Sequence, residues 1–346
     1  MPLPDVRLSL LDRANSRRGS TEAEALARVL ERAARAEELG YHRFWVAEHH
    51  GVPGIAGSAP AVLMAAVAAR TRRIRVGSGG IMLPNHQPLV VAEQIATLEA
   101  LHPGRIDLGV GRSLGFTSAV RAALRSGRKD AERFEEDVAE LLAHLSGTAP
   151  VTARPRDRAT TPVFVLATGA GADVAARSGL AVVLGGPALS RAGAGRGAPV
   201  LERYRAQFRP SPWWPEPHVV VSANVAVAGT GEAARRLLLP EAHALALSRT
   251  RGEFPPLAPA DAAPAASLPP RAATLVEESL ATSVHGTALD VEARLARLLA
   301  DTRADELLVT GGAYDVEAQA ESDRLLAGLF ARPAAAARPG PARACD

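Results

Sequence analysis

Short apolar runs alternate with amphipathic stretches along most of the chain, the pattern of repeated β/α units. LSLLD at 8–12 reads as strand one. The helix at 21–39 follows, with Ser20 and Thr21 as candidate caps and Gly40 as its stop. HRFWVA (42–47), PAVLMAAVAAR (60–70), IRVGSGGIML (74–83), PLVVAEQIATLEAL (88–101) and RIDLGVG (105–111) continue as strand, helix, strand, helix, strand, and the fourth helix falls at 130–145. Beyond a Pro/Arg-rich connector at 149–162, VFVLAT opens a second half: a helix at 172–178, the strand LAVVLGG, a helix near 199–208, the strand HVVVSANVAVA, and at the end ELLVTGG (306–312) with a closing helix at 316–330. Eight strands and eight helices can be counted. The right-handed parallel crossover makes a single closed (β/α)8 TIM barrel the economical arrangement, with one domain over 1–331 and a disordered tail at 332–346.

Three segments break the repeat: 113–129 after strand four, 187–199 after strand six, and 251–272 between strands seven and eight. The first two leave the C-terminal face of the barrel as loop insertions, where chemistry gathers in this architecture, and read as mobile lids. Composition narrows the function classes. Of 346 residues 47% are hydrophobic and 22% charged, enough for a sizeable core. The net charge of +3 comes from arginines interleaved with Asp and Glu, so no nucleic-acid partner is expected. One cysteine, Cys345, excludes a disulfide framework and a thiolate metal cluster. The N-terminus carries no apolar leader, and no apolar run reaches membrane-spanning length, so a cytoplasmic protein without membrane contact is expected.

Candidate chemistry sits where strands run out. Strand two ends in Glu48, His49 and His50. Alternation sends either His49 or both of its neighbours toward the barrel axis. An imidazole there can exchange a proton near neutral pH. Glu48, His49, His50 and His86 lack the spacing of HExxH, of an HxH strand pair or of a Cys set, so no metal is expected. Gly77, Gly79 and Gly80 interrupt a strand, which suits a bulge or the close approach of another molecule. Asn85 and His86 in LPNHQP lie near the same mouth as possible substrate or cofactor contacts. Arg112 closes GVGR, where a guanidinium can hold phosphate through two hydrogen bonds. In LATGAGADVAA, Thr168 offers one hydroxyl ahead of a helix N-terminus that favours anions. TGAGAD is not a dinucleotide fingerprint.

Taken together, RFWVAEHHG, VGSGGIMLPNHQP and HPGRIDLGVGR resemble the bacterial luciferase-like flavin-dependent monooxygenases, in particular the mensacarcin-type branch of antibiotic biosynthesis; the similarity covers most of residues 5–330. The resemblance implies an enzyme that uses reduced FMN and O2 to oxygenate a small organic substrate in polyketide metabolism, with reduced flavin supplied by a separate reductase. It implies that His49 is catalytic beside the flavin, and Glu48 beside it is the second catalytic candidate. Gly79 and Gly80 would lie against the isoalloxazine ring, often through a strained or cis peptide, and Arg112, Thr168, Gly169 and Gly171 would hold the phosphate. Ala170, Gly171 and Ala172 stand where relatives commonly carry Ser, Thr or Tyr, which implies weak FMN binding. Relatives pair through helices two and three, so a homodimer is expected. The alternatives are a deazaflavin (F420)-dependent oxidoreductase and a degenerate, non-catalytic luciferase-like subunit.

Overall fold

The computed structural model describes residues 3–115, 117–156, 161–185, 189, 197–262 and 268–331. Eight parallel strands close a barrel: β1 (Arg7–Asp12), β2 (Arg43–Val46), β3 (Arg75–Ser78) extended by the short β4 (Ile81–Met82), β5 (Ile106–Gly111), β6 (Val163–Ala167), β7 (Ala181–Gly185), β8 (Val219–Val227) and β10 (Glu306–Thr310). β10 pairs with both β1 and β8, which completes the ring. β8 runs on past the barrel and its far end pairs with β9 (Val284–Gly286).

Twelve helices surround the strands among the described residues: α1 (Glu22–Glu38), α2 (Pro60–Arg70), α3 (Pro88–Leu101), α4 (Ser118–Leu124), α5 (Arg128–Glu132), α6 (Phe134–Ser146), α7 (Gly171–Ser178), α8 (Gly197–Gln207), α9 (Gly231–Arg251), α10 (Pro270–Thr282), α11 (Ala288–Thr302) and α12 (Val316–Phe330). The repeat read from the sequence is present with its strands within a residue or two. Thr21, not Ser20, caps α1, exchanging hydrogen bonds with Glu24 in a capping box. Ser20 instead accepts from Arg28.

Two expectations change. Segment 113–129 is not a plain loop, because Thr117 caps α4 through the Val120 N–H and α5 follows at once. Between β8 and β10 lie α9, α10, β9 and α11, where the sequence suggested mainly an interruption. α9 hid because its buried face is built from Ala234, Ala242, Ala244 and Ala246, with Pro240 set inside the helix, so it lacks strong periodicity and carries a breaker. It packs on α10 through Leu238, Ala242, Ala272, Val276 and Leu280. Most of 187–199, and all of 332–346, fall outside the described residues.

Inside the barrel Leu11, Trp45, Phe164, Val183, Val220 and Leu308 form the axial core. Below it, at the N-terminal strand ends, sits a buried ion cluster. Arg43 pairs with Asp107 at 2.7 Å and with Glu306 at 3.0 Å, Arg75 pairs with Asp107 at 2.7 Å, and the Trp45 indole N–H donates to Asp107 at 3.2 Å. The Arg43 guanidinium also lies over the Phe164 ring, 4.9 Å from its centre. Charge buried this deeply persists only when paired and hydrogen-bonded. The cluster therefore closes the bottom of the barrel and leaves the C-terminal mouth as the place for a site.

Candidate active site

Chain direction fixes the mouth: β2 ends at Val46, and Ala47, Glu48, His49 and His50 follow on the C-terminal rim. Glu48 is buried, 4% exposed. Its Oε1 accepts from His50 Nε2 at 2.9 Å and Asn85 Nδ2 at 3.0 Å, and its Oε2 accepts from His86 Nε2 at 2.9 Å and the Met82 N–H at 3.0 Å. Burial raises the carboxyl pKa, but the bonds from His86, Asn85 and Met82 outweigh it and hold the group below the usual range, so it stays ionised. Ser126, from the segment before α5, donates to Asn85 Oδ1 at 2.9 Å and ties that insertion to the same network. The ligand atoms of Glu48, His50 and His86 lie within 4.8 Å of one another, a convergence that the sequence spacing did not reveal.

His49 stands between Glu48 and His50 in the chain, past the last residue of β2. Its backbone N–H donates to the Gly57 carbonyl at 2.9 Å. Burial, and then the nearby Arg13 guanidinium, push its ring pKa down to about 4, against a smaller upward pull from Glu48. His49 is accordingly neutral at pH 7. Arg13 follows the last residue of β1 and pairs with Glu241 of α9, and Glu241 also accepts the Gly312 N–H beyond β10. The sequence reading missed both residues. Arg13 carried the signal already used for His49, a charge directly after a strand; Glu241 sat in the helix that the pattern concealed.

The peptide between Gly79 and Gly80 is cis, the arrangement the resemblance implied. The glycines answer to the protein's own crowding: a Cβ on Gly79 would stand 1.9 Å from Leu11 Cδ1, and one on Gly80 would stand 2.8 Å from the Gly109 carbonyl oxygen. The break lets the chain leave β3 and resume as β4 beside β5.

Arg112 and Thr168 both follow strand ends on another sector of the rim. Val110 of β5 is level with Val165 of β6, so two residues further on Arg112 reaches the level of Ala167, next to Thr168. Both side chains are exposed and make no hydrogen bond or ion pair among the described residues. Gly169 and Ala170 lead into α7, whose first residue Gly171 packs against Ala167, a Cβ there falling 3.2 Å from the Ala167 Cβ. A cation and a hydroxyl without acceptors among the described residues, beside a helix start, fit a phosphate, although the Ala172 and Asp173 N–H groups of that first turn donate to the Gly169 and Ala170 carbonyls. Asp173 in the first turn is occupied by Arg203 at 2.6 Å.

The family model of the luciferase-like monooxygenases matches residues 6–306. A luciferase-like monooxygenase of Escherichia coli K12 is 37% identical over 330 residues, covering 92% of this chain and 96% of that protein. The crystal structure of apo-MsnO8 superposes with a TM-score of 0.80 at 34% identity, covering 94% of this chain and 97% of that one. The oxygenating constituent of 3,6-diketocamphane monooxygenase from Pseudomonas putida, a type II Baeyer-Villiger monooxygenase solved in complex with FMN, shares the fold at a TM-score of 0.68 and 17% identity, covering 94% of this chain and 97% of that one. The family resemblance in the sequence is thus borne out, and the chain belongs to the luciferase-like monooxygenases.

Proposed function

We propose that this monooxygenase works with FMN delivered in reduced form by a separate reductase, and transfers one atom of O2 to a small organic substrate while the other leaves as water. Bound reduced FMN supplies the two electrons of that reaction. The observation that carries the reading is the division of labour at the end of β2: Glu48 is saturated with hydrogen bonds, while His49 is held neutral at the mouth beside Arg13. A neutral imidazole can donate or accept a proton at a ring nitrogen without first losing one to solvent. His49 is the catalytic residue in this reading. Glu48 is a positioning residue that fixes His50, His86 and Asn85 around the mouth. Arg112 and Thr168 hold the phosphate with the backbone of Gly169 and Gly171, and Gly79 and Gly80 flank the ring.

The protein acts in this reading as a homodimer through α2 and α3, where Val62 is 71% and Val90 44% exposed. Its place is the cytoplasm; among the described residues no helix is long and apolar enough to cross a membrane. A role in secondary-metabolite tailoring, on a polyketide, follows the resemblance carried by the sequence motifs.

Anaerobic titration with reduced FMN and, separately, reduced F420, followed by admission of 18O2, tests this. Saturable binding of reduced FMN and 18O in an organic product are expected. Binding of reduced F420 alone would move the chain to hydride transfer, and binding of neither at millimolar concentration would leave a non-catalytic subunit.

A further inference from the structure

Behind the β1 end of the mouth, between α1 and the loop after β10, lies a cavity of about 20 Å³. Four arginines line it, Arg17, Arg28, Arg32 and Arg35, with Asp12 as the one acidic residue among its lining. Arg32 is compensated, at 2.9 Å from Asp12 and 2.8 Å from Asp323. The other three make no ion pair among the described residues, although Asp12 attracts Arg17 and Glu24 attracts Arg28 from further off. Arg17, 9% exposed, donates only to neutral acceptors: the carbonyls of Asn15, Ala313 and Tyr314, and Gln319 Oε1. Arg28 gives Nη2 to Ser20 Oγ, while its Nη1 is buried without an acceptor. The Arg35 side chain makes no hydrogen bond or ion pair among the described residues. Asn15, 6% exposed, also lines the cavity and has a buried Nδ2 without an acceptor.

We propose that this cavity is a binding site for one inorganic anion of halide size. Buried N–H donors without acceptors, and a buried cation held only by neutral acceptors with two half-buried ones beside it, are each costly, and one anion relieves both. A water would satisfy the donors and leave the charge. The small volume, about 20 Å³ against the roughly 10–15 Å³ that one water-sized group needs, favours a single small ion over a larger anion. The charge balance agrees: burial, and repulsion from Arg28 and Arg32 against the attraction of Asp12, lower the Arg17 pKa, which an anion would reverse. The site is separate from the rim of Arg112 and Thr168, and its occupant would brace the junction where Arg17 ties the β1 loop to the β10 loop.

The test is thermal unfolding of the full chain in sodium chloride, sodium bromide and sodium gluconate at equal ionic strength, joined to anomalous diffraction from bromide-soaked crystals. Chloride and bromide are expected to raise Tm by about 2–5 °C over gluconate at a hundredfold excess over Kd. Arg28→Gln and Arg35→Gln, at half-buried positions of α1, should abolish that difference, and a bromide peak should appear between Arg17 and Arg28. Equal Tm in the three salts, a halide effect that persists in both variants, or a cavity without bromide would overturn the proposal.

Discussion

The two ends of the barrel carry comparable numbers of ionisable groups and use them in opposite ways. At the N-terminal end Arg43, Arg75, Asp107 and Glu306 neutralise one another, and the members on the axis are 3% exposed or less at the side chain. At the C-terminal end Glu48 gathers half-exposed imidazoles, His49 stands neutral beside Arg13, and Arg112 is exposed without a counter-charge among the described residues. A closed cluster fixes the strands; an open one leaves polar groups for something else to satisfy. The strand termini tell the two apart. Arg43, Arg75 and Glu306 open their strands, whereas Glu48, His49, Arg13 and Arg112 follow the ends of theirs.

Breaking the bottom cluster should have the largest effect. Glu306→Ala leaves Arg43 buried and half-compensated and should cost about 3–5 kcal/mol of stability, read by urea unfolding. Acid sharpens the contrast. With a folded pKa of about 4 against 6.5 when unfolded, His49 takes its proton more readily in the unfolded chain, so stability is lost as pH falls from 6.5 toward 4, by about 3 kcal/mol for this group. His42, also lowered to about 4, adds to the same window, and Glu306, held near 2, adds its loss only as pH falls from 4.5 toward 2. His49→Gln should therefore flatten, not abolish, the slope of stability between pH 6.5 and 4; an unchanged slope would contradict the burial of the ring.

Smaller effects belong to the open end. Arg112→Ala should weaken reduced FMN roughly ten- to a hundredfold by the loss of a charge-assisted bond, and Thr168→Ala less; the reverse order would remove Arg112 from the phosphate site. Val62→Asp on α2 should shift the homodimer toward monomer in sedimentation at micromolar concentration while leaving the barrel folded. A wild-type chain that sediments as a monomer would end that part of the account.

Much of this was legible in the sequence. The β/α alternation located every barrel strand, because buried parallel strands read as short apolar runs. EHH and GVGR stood out because charge directly after such a run is unusual. What stayed hidden depends on contacts between distant parts of the chain. The partners of Glu48 come from positions 50, 82, 85 and 86, the Arg13 partner comes from a helix masked by alanine and proline, and the compensation of Arg43 by Asp107 and Glu306 appears only when strands far apart in sequence become neighbours. His49 could be nominated from its motif, but its neutrality required its burial and Arg13.

The central claim is that one end of the barrel holds the fold and the other performs the reaction. It is tested most directly by measuring, on the same preparations of His49→Ala and Glu306→Gln, both the unfolding midpoint and reduced-FMN-dependent incorporation of 18O into product at a temperature where both remain folded. His49→Ala should keep a Tm close to the parent at neutral pH and lose about a hundredfold or more in oxygenation, while Glu306→Gln should lose several degrees and keep its rate. Full oxygenation by His49→Ala, or a loss of rate in folded Glu306→Gln as large as in His49→Ala, would contradict the account.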